Sequence, residues 1–233
     1  MKFKLQRLEI SDELISLSSK TIKRRKIYLP RMSKKNLMEM GAVCREIGIV
    51  GLPNHLVVRK LQGKLGFGVF LHPEAKPILR GEVIAPYAGE VIVAPQNIGD
   101  NSDYVFSLIS RIRLSRAEQR MFDPKSSFHP RRLYSLDLDA GKKGNFTRFI
   151  NHSTKPNVEA HLLKVPRNSV GPAPSLFEMV YIAKKKIRPG EQLLVCYEGD
   201  DRSYWGALQI KPFPMTPQTF QVVGLKGKVV HSV

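Results

Sequence analysis

An amide, an imidazole and a hydroxyl stand side by side at Asn151, His152 and Ser153, directly behind the apolar pair Phe149-Ile150. Such a run either ends a strand in a polar turn, which the following Pro156-Asn157 favours, or presents polar groups to a ligand. Asn145-Phe146-Thr147 and Asn151-His152-Ser153 also match the glycosylation acceptor, a pattern that matters only in a secreted protein. Elsewhere, Tyr87, Tyr104 and Tyr197 place phenols in or beside strand-like runs. Gly66-Phe67-Gly68 lets backbone approach a ligand closely, but lacks the third glycine and the strand–helix setting of a dinucleotide fingerprint. Cys196 with His152 offers a nucleophile and a base for hydrolysis, without any local signature in support. The plainer reading of Cys196 is a small buried residue.

Two textures position these groups. Residues 1–50 are basic and poor in glycine, with apolar positions at helical spacing: Leu5, Leu8, Leu14 and Ile15, then Leu37, Met38, Val43, Cys44 and Ile47. They are read as two helices, or a helix and an arm, the second stretch capped by Ser33 and ended by Gly48, serving as a buttress or as a dimerisation or targeting element. From Gly51 the chain changes to short runs rich in Val, Ile, Leu and Tyr, broken by Gly, Pro and Asn: LVVRKL, GVFL, EVIAPYAGEVIV, DYVFSLI, RLYSLDL, EMVYIA and QLLVCY. These are strand-length, and Pro189-Gly190 between the last two predicts a type II turn closing a hairpin. Ser115-Arg116-Ala117-Glu118 is a capping box that opens a short helix through Phe122. The fold class is therefore mostly β (α+β), with a main domain over 51–213, the helical region before it, and a looser tail over 214–233.

The bulk composition narrows the function. With 38 Lys and Arg against 20 Asp and Glu, the net charge is +18, which favours nucleic acid or other acidic partners unless it serves solubility alone. Lys23-Arg24-Arg25-Lys26 and Lys184-Lys185-Lys186 concentrate part of it, the first as a nuclear-targeting or nucleic-acid patch. Glu9, Asp12 and Glu13 interrupt the start where a signal peptide needs an apolar stretch, so export by a standard signal is not expected and the glycosylation reading falls. Two cysteines, Cys44 and Cys196, can form neither a disulfide framework nor a four-thiolate zinc site, and no structural metal is expected.

Four pieces stand in order: Gly66-Phe67-Gly68, Tyr87-Ala88-Gly89-Glu90, GNFTRFINHSTKPN over 144–157, and GEQLLVCY over 190–197. Together they resemble the SET domain of protein lysine methyltransferases across roughly residues 52–200, with Asp139 fitting upstream. The third piece follows the family's Gly-Asn-x-x-Arg-Phe-Ile-Asn-His-Ser-x-x-Pro-Asn almost position for position. The basic extension and the missing zinc cysteines look most like the SET proteins of chlamydial bacteria.

The resemblance implies a SET fold of small sheets with a threaded C-terminal segment, and transfer of a methyl group from S-adenosylmethionine to lysine. It implies cofactor contacts from Gly66, Phe67, Gly68, Tyr104, Arg148, Phe149, Asn151 and His152. Tyr197 would be the central catalytic tyrosine and Tyr87 a wall of the lysine channel, with Val195, Tyr204 and Trp205 also facing substrate; Glu90 is read as structural. Implied partners are histones or lysine-rich histone-like proteins, with nucleic acid on the basic surface and a homodimer as further expectations. The expected location is the bacterial cytoplasm, with delivery into a host cell and its nucleus. The chain departs from the family in three ways: Cys196 stands where aspartate usually precedes the tyrosine, Thr154 follows Asn-His-Ser in place of cysteine, and the zinc-binding segment is absent. The alternative class is a non-catalytic SET-like module that binds nucleic acid or chromatin.

Overall fold

In the computed structural model the N-terminal periodicity becomes two helices, α1 (Asp12–Arg24) and α2 (Lys34–Val50). Ser33 caps α2, its side chain accepting from the Asn36 amide while its backbone stays extended. The helix runs past Gly48, the expected end, and stops at Gly51, whose φ of 75° turns the chain left-handed while its amide bonds Ile47 O at 2.7 Å. An interior glycine costs a helix about 1 kcal/mol without breaking it, whereas a left-handed C-terminal residue ends it. The structure describes residues 12–61, 66–96, 104–164 and 177–197, with the short strands Val222–Val223 and Val229–His231.

The strands up to residue 197 are β1 (Leu56–Lys60), β2 (Phe67–Leu71), β3 (Val83–Pro86), β4 (Glu90–Pro95), β5 (Val105–Ile112), β6 (Tyr134–Asp139), β7 (Asn151–His152), β8 (Val158–Lys164), β9 (Phe177–Ala183) and β10 (Leu194–Val195). Helix α3 (Arg116–Phe122) follows β5, and a single 3-10 turn, Phe146–Phe149, precedes β7. The run EVIAPYAGEVIV divides into β3 and β4 around Tyr87-Ala88-Gly89, and β8 arises from VEAHLLK, a stretch too mixed in polarity to read as a strand. The chain divides into two units: residues 1–32, 87–145 and 162–179 form unit 1; residues 33–86, 146–161 and 180–233 form unit 2.

Unit 1 is built on an antiparallel sheet of order β4-β6-β5, with Glu90 opposite Asp139 and Tyr134 opposite Ile112. Tyr134, Leu136 and Leu138 of the central strand are fully buried. The capping box of α3 forms as predicted: Ser115 N donates to Glu118 Oε2 at 2.7 Å, and Glu118 N donates to Ser115 Oγ at 3.3 Å. Two polar contacts moor α1 in the same unit. Lys20 Nζ lies 3.0 Å from Glu118 Oε1, and the Arg25 guanidinium donates to Ser110 O. Leu14 and Leu17 of α1 are buried, each contributing about 1.5–3 kcal/mol by leaving water.

Unit 2 holds the β1-β2 hairpin, register Leu56 with Leu71, and, from the sheet of order β3-β9-β8-β10-β7, strands β3, β7 and β10 with residues 158–161 of β8 and 180–183 of β9. Helix α2 packs against β3, and its Glu39 accepts from Val83 N at 3.1 Å. The turn at Arg188-Pro189-Gly190-Glu191 forms as read: Glu191 N bonds Arg188 O at 3.0 Å and Gly190 has φ 82°. The expected β9–β10 hairpin does not form. After the turn, Gly190 N bonds Leu71 O at 2.9 Å and Leu193 N bonds Val69 O at 2.8 Å, which leads the chain along β2 before it becomes β10. A turn type is set by four residues; the partner of the strand that leaves it is set by what lies within reach.

Two features of unit 1 give predictions. A Cβ on Gly89 would sit 2.7 Å from the Asp139 carbonyl oxygen, a backbone atom that cannot swing aside. Gly89→Ala should therefore cost roughly 1–3 kcal/mol in a urea melt. Asp137, 6% exposed in β6, accepts from Ser135 Oγ at 2.6 Å, yet burial pushes its carboxyl up against the opposing hydrogen bonds of Ser135 and Ser107. A raised folded pKa gives stability that is full below the unfolded carboxylate range and lost as pH rises through the folded value. Asp137→Asn should raise Tm at pH 7 and leave it unchanged near pH 3, as calorimetry at both pH values would show.

Candidate functional site

The turn Phe146–Phe149 delivers the polar trio by a local route. Phe146 and Ile150 are buried, Ile150 N closes on Thr147 O at 3.0 Å, and the next two residues enter the sheet as β7. Asn151 Nδ2 then donates to Phe67 O at 2.7 Å and, more weakly, to Phe149 O at 3.4 Å. This ties the polar trio to Gly66-Phe67-Gly68. The Phe67 and Phe149 rings lie 5.6 Å apart, and the Arg148 guanidinium stacks 4.8 Å from the Phe149 centroid. Phe67 is 47% exposed, so the three side chains form a shelf that is aromatic, cationic at one end and open to solvent.

The two glycines have different reasons to be glycine. Gly66 has φ 71°, so its backbone conformation demands glycine, and no atom of the described residues lies within 4 Å of where a Cβ would sit. Gly68 is crowded, since a Cβ there would meet Gln192 Nε2 at 2.7 Å. Gln192 is completely buried, and neither atom of its amide head has a hydrogen-bond partner among the described residues.

Tyr197 joins the same cluster through both ends. Its main-chain N donates to His152 Nδ1 at 3.0 Å, its hydroxyl donates to Ile150 O at 2.9 Å, and its ring lies 5.4 Å from the imidazole. The Nδ1 of His152 therefore accepts from backbone, which places the ring proton of a neutral imidazole on Nε2. His152 works as a clasp on the Tyr197 backbone. That use of Nδ1 disfavours the hydrolase pairing with Cys196, because a general base is oriented by its partners toward the nucleophile.

Strand β10 runs parallel to both of its neighbours, pairing Leu194 with Asn151, Val195 with His152, and Val195 with Val158. Ser153 N bonds Val195 O at 2.9 Å and Asn157 N bonds Leu194 O at 3.0 Å. The Asn157 side chain locks the insertion: its Nδ2 donates to Gln192 O and its Oδ1 accepts from Leu194 N, both at 2.8 Å. Local pattern read Pro156-Asn157 as a stop and the motif merely ended on it, so neither Asn157 nor Gln192 was among the expected site residues. A polar residue preceded by proline marks a turn, and nothing local tells which distant strand its amide will hold. Val195 is 1% exposed, at the centre of this parallel set.

In unit 1, Tyr87 and Tyr104 are brought together. Tyr87 Oη donates to Tyr104 O at 2.8 Å, and that carbonyl also accepts from Ala140 N at 3.1 Å. Tyr87 is buried, with its ring 6.1 Å from that of Phe106. Glu90 is exposed at the start of β4, and Asp139 accepts from Gly141 N at 2.7 Å in the turn after β6. Tyr204 and Trp205 lie outside the described residues.

The fold is thus a mostly β domain of small sheets in which a late parallel strand is locked between earlier segments, beside an aromatic shelf and a clasped tyrosine. Residues 66–198 match the SET domain family, and the chain belongs to that family. It is 32% identical over 124 residues to the H3 lysine-9-specific histone-lysine N-methyltransferase SUVH1 of Nicotiana tabacum, covering 53% of this chain and 16% of that protein. It is 30% identical over 148 residues to SET domain-containing protein 4 of Saccharomyces cerevisiae, covering 63% of this chain and 23% of that one. The chain thus spans less than a quarter of the length of these relatives. Among solved structures, the ATXR5 SET domain in complex with histone H3 aligns over 76% of this chain and 72% of its own, at 22% identity and a TM-score of 0.48.

The lock makes a direct prediction. Asn157 is 4% exposed and serves two buried main-chain groups, so Asn157→Ala leaves both unsatisfied. It should destabilise the protein by roughly 2–4 kcal/mol, read as a lower urea midpoint.

Proposed function

We propose that this chain is a protein-lysine N-methyltransferase that uses S-adenosylmethionine and acts on histones or lysine-rich histone-like proteins. The observation that carries the reading is the pair of ties around residues 150–152, Tyr197 held by His152 Nδ1 and Ile150 O and Asn151 held on Phe67 O, beside the shelf of Phe67, Phe149 and Arg148. The shelf fits the cofactor. A flat aromatic surface with a guanidinium at its edge suits an adenine ring, and the bare backbone at Gly66 suits an extended ligand. S-adenosylmethionine supplies an electrophilic methyl group on a cationic sulfur.

The protein's own task is to present a neutral amine to it in line. Lysine's ordinary pKa near 10.4 leaves roughly one neutral amine in 2,500 at pH 7, a cost of about 4.6 kcal/mol that an apolar channel and a nearby positive charge reduce. Tyr197 serves as an orienting group. Its hydroxyl hydrogen is committed to Ile150 O, so its oxygen offers lone pairs to an amine N–H. A phenol is a poor base at neutral pH, and alignment accounts for most of the rate. The histone preference rests on the family's relatives, and the histone-like alternative rests on the resemblance to chlamydial SET proteins.

Transfer of labelled methyl from S-adenosylmethionine to core histones, to a bacterial histone-like protein and to the enzyme itself tests the reading. Label is expected on at least one of these. Tyr197→Phe should reduce kcat by about a hundredfold or more with little change in cofactor affinity. Asn151→Ala should weaken cofactor binding by about tenfold in calorimetry. Absence of both label and cofactor binding would point instead to the non-catalytic binding module, which the charge of +18 also suits.

A further inference from the structure

The basic residues of unit 1 come from two stretches far apart in sequence. Lys20 on Glu118 and Arg25 on Ser110 moor the end of α1 beside the β5–α3 junction. Lys23, Arg24 and Lys26 of the first stretch thereby join Arg111, Arg113 and Arg116 of the second, and all six are exposed. Glu118, the acid at this junction, is already engaged by Lys20 and by the cap of α3.

The backbone here carries a second signal. Among the described residues, the only non-glycine residues with positive φ are Lys26, at 51°, and Arg111, at 57°. Lys26 occupies the left-handed position that ends α1, with Ile27 N bonded to Ile22 O at 3.0 Å behind it. Arg111 lies where the β5–β6 register shifts between Ile109 and Ile112. Glycine is the favoured residue at such positions on conformational grounds, yet both carry a cation. The helix dipole accounts for Lys23, Arg24 and Lys26 at the end of α1, but not for Arg111 in β5 or for Arg113 and Arg116 beyond it. Two such residues on neighbouring segments motivate a functional reading of this surface.

We propose that this face of α1 and the β5–α3 junction binds duplex nucleic acid. The set is rich in arginine, whose planar fork suits phosphate oxygens. Phe128, 41% exposed, lies 5.7 Å beneath the Arg116 guanidinium, adding an aromatic surface among the charges. A bilayer is a poorer fit because α1 has already buried Leu14 and Leu17 and so has no apolar stripe to insert. An acidic protein is the competing occupant, and the regular phosphate spacing of a duplex suits six cations spread over two elements better than a single aromatic contact at Phe128 suits a protein anchor. The assignment does not rest on methyl transfer, and its test uses no cofactor.

Fluorescence anisotropy with a labelled mixed-sequence DNA duplex of about 20 base pairs, over a salt series, tests it on the full chain. Binding is expected to be insensitive to sequence and to weaken steeply with salt. Lys26→Gly with Arg111→Gly removes two cations at positions where glycine relaxes the backbone. The double variant should lower the slope of log K against log salt by about two and weaken binding more than tenfold at about 0.1 M salt. Its Tm should be held or raised, which separates lost binding from lost folding. Lys185→Gln with Lys186→Gln removes the same charge from unit 2 and should leave affinity within about twofold. Equal loss in both double variants would overturn the proposal in favour of net charge alone. So would an absence of DNA binding at about 0.1 M salt, or binding to phosphatidylserine vesicles or polyglutamate but not to DNA.

Discussion

One strand insertion organises unit 2. The segment after Pro189 is held along β2 by Gly190 and Leu193, then passes into the sheet as β10 between β7 and β8. Two parallel neighbours over so few residues give it little ladder of its own, and the Asn157 amide supplies the missing grip by bonding Gln192 O and Leu194 N. The trio behind Ile150 serves the same insertion: Ser153 N holds Val195 O, and His152 holds the Tyr197 amide. The tyrosine proposed to orient the amine is thus positioned by the interactions that hold the strand. The position of Tyr197 and the stability of unit 2 are therefore not separable.

Polar groups buried for this purpose carry a cost that the fold meets group by group. Asn157 and His152 are nearly inaccessible and work as main-chain partners. The Gln192 amide, wedged against Gly68, finds no such bond among the described residues, and the bare glycine backbone is what admits it. In unit 1 the balance differs. Asp137 sits in the core strand with burial raising its carboxyl, while the exposed surface accumulates cations at the α1 end and beyond β5.

Much of this was legible from the residues. Ser33, the capping box at Ser115 and Glu118, the turn at Pro189-Gly190, and the strand-length apolar runs all depend on interactions within a few residues of one another. The motif pieces, in their order, pointed to one family, and the structure brings Phe67, Arg148, Phe149, Asn151, His152 and Tyr197 into one network of contacts. Where local reading failed, distance along the chain was the cause. Gly48 was weighed without the left-handed turn at Gly51, and β10 was assigned to the neighbouring β9 because adjacency in sequence is the commonest guide to pairing.

By itself, then, the sequence determined the short-range matters: which stretches are helical or extended, where they are capped, how basic the protein is, and which family its motifs belong to. Tertiary structure alone decided that β10 lies parallel between β7 and β8, that Asn157 is a latch, that Gln192 presses on Gly68, and that Lys26 and Arg111 share a face. The reason is physical. Propensity, capping and turn type are energies of neighbouring residues, whereas each of these later facts is a contact between groups tens of residues apart. Such contacts acquire their value only once the chain has closed around them.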